Sequence, residues 1–301
     1  MSRTILVSGA SGLIGSALVS RLRTQGDRVI ALVRREVRSD DEIGWDPDAG
    51  QLPESAVDGV DVVVNLSGAG MGDKRWSKAR KGVILDSRLD TTGLLARAIA
   101  SAPNPPAVFL SASAIGIYGQ DRGDDLLDES SSIGDDFLAQ VAARWEQAAD
   151  PAKKAPTRVV HFRTGLVMAG TGGLLGPLVP LFKVGLGGKI GSGKQWMSWI
   201  SLGDEVAALV HLMDSSIAGP VNLVAPHPVT NAEFTTALAK VLRRPALFVI
   251  PRFALQIRFG REMAEGTALA NQRVLSERLT SDGFEFSHPE LEPALRVVMG
   301  R

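Results

Sequence analysis

The chain opens on three apolar β-formers, Ile5, Leu6 and Val7, with no turn residue among them, which reads as a buried strand. Gly9, Gly12 and Gly15 follow at three-residue spacing, and from Leu13 onward Ile14, Ala17, Leu18 and Leu22 recur on one helical face. Residues 28–33 (RVIALV) and 61–66 (DVVVNL) repeat the short apolar run. Between them, residues 40–55 are polar with Asp, Gly and Pro, a loop with a short strand around Trp45. A long helical pattern follows the basic stretch 74–81 and runs to about Ala100. A strand starting at residues 108–110 leads into SASAIGIYG, and residues 123–134 form an acidic loop. Over 137–149, Phe137, Val141 and Trp145 make a helical stripe that prolines 151 and 156 interrupt before a strand at 158–163 (RVVHFR). This alternation predicts an α/β fold with a doubly wound parallel sheet of the Rossmann kind.

Beyond residue 165 the rhythm changes. Residues 164–193 are rich in Gly and Pro, and WMSWISLGDEVAALVHLM then runs from strand or loop into helix. A short strand is expected at 221–224. Asn231 is a good N-cap, with Glu233 in the first turn, for a helix reaching Leu242. Amphipathic helical pieces close the chain, the last over 291–299. The pattern divides the chain into a dinucleotide-binding domain over 1–165 and a smaller, mostly helical lobe over 166–301, some of whose strands and helices return to the main domain. Such a lobe is a common place for a substrate cleft.

Strand, glycine turn and helix in that order form a seat for a dinucleotide. Gly9 permits the turn, Gly12 lets a pyrophosphate approach the backbone, and Gly15 lets the helix lie close to the strand, its free N–H groups facing the phosphates. The residue ending the second strand meets the adenosine ribose. No acid stands there to accept from a 2′-hydroxyl; Arg34 and Arg35 do, so the reading is NADP(H), with Arg34 the contact. Leu66 and Ser67, just past the third apolar strand, either neighbour the adenosine side or simply end the strand. The basic stretch 74–81 is either a solvated helix start or a cluster for a substrate phosphate or carboxylate.

Composition narrows the partners. Lys plus Arg and Asp plus Glu both number 33, so no global field draws in nucleic acid or a membrane surface, and neither is expected as a partner. The absence of cysteine removes disulfides, thiolate nucleophiles and cysteine metal sites. His161, His211, His227 and His288 show no ligand spacing, so no metal is expected. No apolar run reaches membrane-spanning length and the chain starts on a strand, which gives a cytoplasmic protein as the expectation.

The spacing GxxGxxG resembles the extended, nucleotide-sugar-epimerase-like branch of the short-chain dehydrogenase/reductase superfamily. Members usually carry a Ser or Thr ending the fifth strand, then a YxxxK helix about two dozen residues on, whose Tyr exchanges the proton and whose Lys lowers the tyrosine pKa. SASAIGIYG supplies the serine: Ser113 best fits, with Ser111 second. The Tyr and Lys positions fall on Phe137 and Val141, which carry neither proton nor charge. Tyr118 is the single tyrosine and lies in the serine stretch itself, Arg122 four residues beyond it in a loop. It is a strand-end packing residue or a catalytic one.

Residues 74–92, 111–119, 137–146, 185–200 and 229–245 together resemble the atypical extended subfamily known as epimerase family proteins. That subfamily keeps the glycine motif and the serine, lacks the Tyr/Lys pair, and has Arg where relatives have a structural Asn; Arg88 matches it. Val141 stands where Cys is frequent and Ser201 where a His is common, so cysteine-dependent chemistry is excluded here. The resemblance implies NADP(H) contacts at the glycine loop (Gly9, Ser11, Gly12, Leu13, Ile14 and Gly15), Arg34, Leu66, Ser67, Arg88 and, after the strand at 158–163, as far as Val167. It also places Lys194, Gln195, Trp196 and Trp199 where related epimerases build the substrate cleft. Two functions fit: an NADP(H)-dependent, epimerase-like oxidoreductase of a small polar or nucleotide-linked substrate with Ser113 and Tyr118 as catalytic candidates, or a non-catalytic NADP(H)-binding sensor or interaction protein.

Overall fold

A computed structural model describes residues 2–301. Seven strands form one sheet: β1 (Thr4–Ser8), β2 (Arg28–Val33), β3 (Glu42–Gly44), β4 (Val62–Asn65), β5 (Val108–Ala114), β6 (Arg158–Thr164) and β7 (Gly219–Leu223). Their order is β7-β6-β5-β4-β1-β2-β3, and the pairs β1–β2, β1–β4, β2–β3 and β4–β5 are parallel. The order reverses between β1 and β4, with Ser8 in register with Asn65. Open α/β sheets bind ligands outside the carboxyl ends of their strands at such a reversal. Three helices matter for the site: α1 (Leu13–Thr24), α2 (Lys78–Ser101) and α3 (Phe137–Ala148). Leu6, Val63 and Phe109 from the sheet pack with Leu95, Ile99 and Val159 in a core shielded from water.

One buried polar chain crosses that region. Ser8 Oγ donates to Asn65 Oδ1 at 2.5 Å, Asn65 Nδ2 donates to Thr92 Oγ1 at 2.8 Å, and Trp145 Nε1 donates to the same hydroxyl at 2.9 Å. The Thr92 hydroxyl thereby satisfies two buried donors and ties β1 and β4 to α2 and α3.

By contact the chain forms two compact units. One holds the chain up to Ser113 with Val141–Arg163 and Val206–Val221; the other holds Ala114–Gln140, Thr164–Glu205 and Asn222–Arg301. The units interleave along the sequence: the segment after β5 joins the second unit, and residues 206–221 return to the first.

The second unit carries more strand than the helical periodicity suggests. Leu166–Met168 pairs with Trp199–Ser201, Gly188–Ile190 with Phe248–Ile250, Trp196–Met197 with Val229–Thr230, and Asp121–Leu127 with Asn271–Val274. The acidic stretch expected as a loop over 123–134 therefore begins as a strand. Its charges stay in water while Leu127 is buried, a pattern that charge content alone hides. The N-cap expected at Asn231 is Thr230, which forms a reciprocal capping box with Glu233. Asn231 turns inward instead, its Oδ1 accepting from Ile190 N at 2.8 Å. Met168, Phe182, Trp199, Phe234, Leu238 and Leu295 contribute to this unit's own core.

Helix Leu202–Asp214 begins on Ser201, whose Oγ accepts from Asp204 N at 2.9 Å. Its first turn buries Glu205 completely. Glu205 Oε1 accepts from Thr164 Oγ1 at 2.7 Å and Oε2 has no hydrogen-bond partner. Burial pushes this carboxyl up to about 8, only partly opposed by the Thr164 bond.

Two outcomes follow from these buried polar groups. Thr92→Val keeps the side-chain shape but strands the Asn65 amide and the Trp145 N–H; urea unfolding should show a loss of about 1–3 kcal/mol. A loss below ~0.5 kcal/mol would remove the network from any structural role. Because the folded state raises the Glu205 pKa, the unfolded chain gives up that proton first. Its contribution to stability is complete below the ordinary value of 4.5, falls as pH rises from there, and is gone above about 8. Thermal melts at pH 5 and pH 8 should therefore differ less for Glu205→Gln than for wild type; an unchanged difference would assign the pH dependence elsewhere.

Candidate functional site

The turn after β1 accepts glycine alone at two points. Gly9 sits at φ +70°, and a Cβ there would lie 2.7 Å from the Leu66 carbonyl carbon. A Cβ on Gly15 would collide with the Gly9 carbonyl oxygen. Leu66 and Ser67 are thus packed directly against the turn, and Asn65 Oδ1 accepts from Ser67 N at 3.2 Å. Helix α1 starts at Leu13 with Gly12 as N-cap, no side chain capping it and no acid in its first turn. Ser11 is exposed beside it. The result is a helix N-terminus with its amides and positive dipole end left for an anion.

At the end of β2 the two arginines separate in role. Arg35 places its Nη1 and Nη2 on Glu42 at 2.9 and 2.5 Å, which holds the Glu42 carboxyl down at about 2. Arg34 is exposed, and among the described residues no carboxylate pairs with it. It is the cation left over at the strand end.

Arg88 is the most unusual charge in this unit. It is buried in α2, its Nη1 donating to the carbonyls of Ala69 at 3.1 Å and Ile84 at 2.9 Å, with Nε unpartnered. Its guanidinium stands 4.8 Å from the Trp145 ring centroid. Among the described residues no carboxylate neutralises it. Burial, and then the charge of Arg80, lowers its pKa to about 10, still cationic at neutral pH. The loop after β4 fits around it: Ser87 Oγ accepts from Ala69 N at 3.0 Å, and a Cβ on Gly68 would come 3.2 Å from the Arg88 guanidinium carbon.

Ser113 lies near the end of β5, almost wholly buried, and donates to Glu146 Oε1 at 2.7 Å. Glu146, from α3, accepts from Arg163 Nε at 2.8 Å and from Nη2 at 3.0 Å. Ser111, the second candidate, is fully buried with its hydroxyl unpartnered. Glu146 and Arg163 escaped the sequence reading. Glu146 directly follows the Phe137–Val141–Trp145 stripe and Arg163 ends the strand at 158–163, so each was legible only as the polar terminus of an apolar pattern. Val141 is buried, as its apolar type requires, and Phe137 is partly so.

The remaining candidates belong to the second unit. Tyr118 is fully buried, its hydroxyl donating to Asn222 Oδ1 at 2.7 Å, while Arg122 Nη1 donates to the Tyr118 carbonyl at 3.0 Å. Of the two readings of Tyr118, a phenol held inside the core by an amide has the surroundings of the packing residue. Trp199 is likewise fully buried, its indole N–H donating to the His227 carbonyl at 3.1 Å. Val167 lies on Leu166–Met168, partly buried and paired with Ile200. Lys194 is exposed and Gln195 half-buried. Trp196 is half-buried, its indole N–H donating to Asp124 Oδ1 at 2.8 Å and Arg273 stacked 4.2 Å over its ring.

Comparison with known proteins gives this geometry its context. The family model described as "NAD dependent epimerase/dehydratase family" matches residues 5–224, and a domain of unknown function matches residues 250–298. An epimerase family protein of Mycobacterium bovis, Mb2239, is 44% identical over 298 residues, covering 99% of this chain and 98% of the relative. The crystal structure of human epimerase family protein SDR39U1 with NADPH superposes with a TM-score of 0.90 at 35% identity, covering 99% of each chain. A nucleoside-diphosphate sugar epimerase from Corynebacterium glutamicum superposes with a TM-score of 0.82 at 36% identity, all of this chain matching 59% of that one. With its Rossmann sheet, its glycine turn and a family match spanning residues 5–224, this chain belongs to the NAD dependent epimerase/dehydratase family.

Proposed function

We propose that this chain binds NADP(H) and acts as an epimerase-like oxidoreductase on a small polar or nucleotide-linked substrate. The observation that carries the reading is Arg88, a buried guanidinium with no counter-anion beside a glycine turn. Leaving a cation so placed is costly unless a ligand supplies the negative charge. The uncapped start of α1 and the unpaired Arg34 offer two further places for negative charge in the same unit. The human relative's structure with NADPH supports this choice of cofactor.

Such a dinucleotide supplies hydride exchange when bound. The proton falls to this chain. Ser113 spends its own hydrogen on Glu146, so its lone pairs are what it offers to a substrate hydroxyl. A proton leaving that hydroxyl passes to Ser113 Oγ as the serine proton moves to Glu146, which becomes neutral while Arg163 keeps its charge and holds the carboxyl in place. This relay takes over the general-base role that Phe137 and Val141 cannot fill, a role worth roughly 10²–10⁴-fold in rate. The same two apolar residues favour the second reading, a non-catalytic NADP(H)-binding sensor or interaction protein.

Arg34→Ser should weaken NADPH binding by about 10–100-fold, from the loss of a charge-assisted phosphate contact, and leave NADH binding nearly unchanged. Isothermal titration with both dinucleotides measures this, and equal losses for the two would discard the 2′-phosphate assignment. Catalysis is tested with NADPH deuterated at its transferring carbon, mixed with the protein and a metabolite extract and followed by mass spectrometry. Label should move to a product, or leave and return to the cofactor, with wild type and fall by at least about 10²-fold with Ser113→Ala, while NADPH affinity holds. Binding without label movement in wild type would leave the sensor.

A further inference from the structure

The second unit has an outer face whose composition differs from the rest of the chain. Residues 170–203 contain Lys183, Lys189 and Lys194 and no Asp or Glu; residues 241–261 contain Arg243, Arg244, Arg252, Arg258 and Arg261 and again no acid. These two stretches are joined in space. Gly188–Ile190 pairs in parallel with Phe248–Ile250, and Arg244 Nε donates to the Lys183 carbonyl at 3.0 Å. A Cβ on Gly191 would touch the Arg252 side chain. Overall neutrality therefore conceals a local cationic surface.

The same stretches also leave large apolar side chains in water. Val184, Leu186, Leu247, Phe248, Val249, Phe253 and Ile257 are all exposed, Leu247 at 86%, Ile257 at 71% and Val184 at 70%. Helix Arg252–Phe259 buries none of its residues. Exposures this high belong to side chains that project, not to the lining of a groove. Among the described residues Arg243 and Arg252 have no carboxylate partner; Arg261 is held by Glu265.

Clustered apolar surface signals a partner. Charge decides which kind. Glu265 lies against the helix, accepting from Gln256, but Lys and Arg outnumber acids across these stretches; a second copy docking face to face would bring two net-cationic surfaces together, and like charges at an interface oppose association. Projecting apolar side chains ringed by Lys and Arg suit the headgroup and acyl boundary of an anionic bilayer, where the apolar tips enter and the cations stay at the phosphates. We infer that the face built from residues 183–190 and 243–258 seats this chain peripherally on an anionic lipid surface. The expectation of no membrane partner, drawn from net charge, does not hold under this inference, because the relevant charge is local.

The test uses the full chain in flotation with extruded vesicles of phosphatidylcholine alone or mixed with phosphatidylglycerol. The chain should float with the anionic vesicles, remain behind with the neutral ones, and be released by raising salt. The double variant Arg252→Glu, Arg258→Glu should lower partitioning by roughly tenfold or more. Phe253→Ser with Ile257→Ser should lower it as well, thermal melts checking that each variant is folded. No binding to anionic vesicles at low salt would overturn the inference, as would equal binding to both vesicle types. So would light scattering that finds a wild-type dimer which Phe253→Ser, Ile257→Ser converts to monomer, since a second copy would then cover the face.

Discussion

A single buried charge organises the first unit. Arg88 has been taken out of water with two carbonyls and an aromatic face for company but no anion. Everything around it serves to hold it in that position. Trp145, whose ring it faces, is pinned through its indole N–H to Thr92, one turn along α2 from the arginine. Thr92 is pinned in turn to Asn65 at the end of β4, and Asn65 to Ser8 at the end of β1. The strand ends that bracket the sheet's reversal and the guanidinium beyond them are thus one connected polar structure.

This arrangement also explains which parts of the molecule the sequence makes legible. Strands β1, β2 and β4 are buried on both faces, so each reads as an unbroken apolar run, and the glycine turn between β1 and α1 has steric requirements that only glycine meets. The sequence singles out Arg34 by its place at the strand end, but the pairing that occupies Arg35 is not local, since its partner Glu42 comes from the neighbouring strand. Tyr118 and Trp199 show the opposite limit of a sequence reading. Their polar atoms suggest chemistry, but both are satisfied by groups far along the chain, Asn222 and the His227 carbonyl, and no local pattern announces those pairings.

Glu146 is the sharper case. Helical periodicity assigns α3 its apolar stripe and treats the residue after Trp145 as a boundary. In the folded chain that boundary meets Arg163 from β6 and Ser113 from β5, so a side chain uninformative in one dimension becomes the centre of a buried cluster. The acidic strand Asp121–Leu127 was missed for a related reason. Strand pairing with Asn271–Val274 depends on backbone groups, and its solvent-facing charges carry no strand signal.

Val141 and Trp145 lie one turn apart on α3, and Arg88 already occupies the face of Trp145. A lysine placed at position 141 would enter a buried site one turn from the ring that the Arg88 guanidinium already faces, with no anion supplied for either charge. A single buried cation on α2 thus sets a limit on the chemistry that the facing turn of α3 can carry.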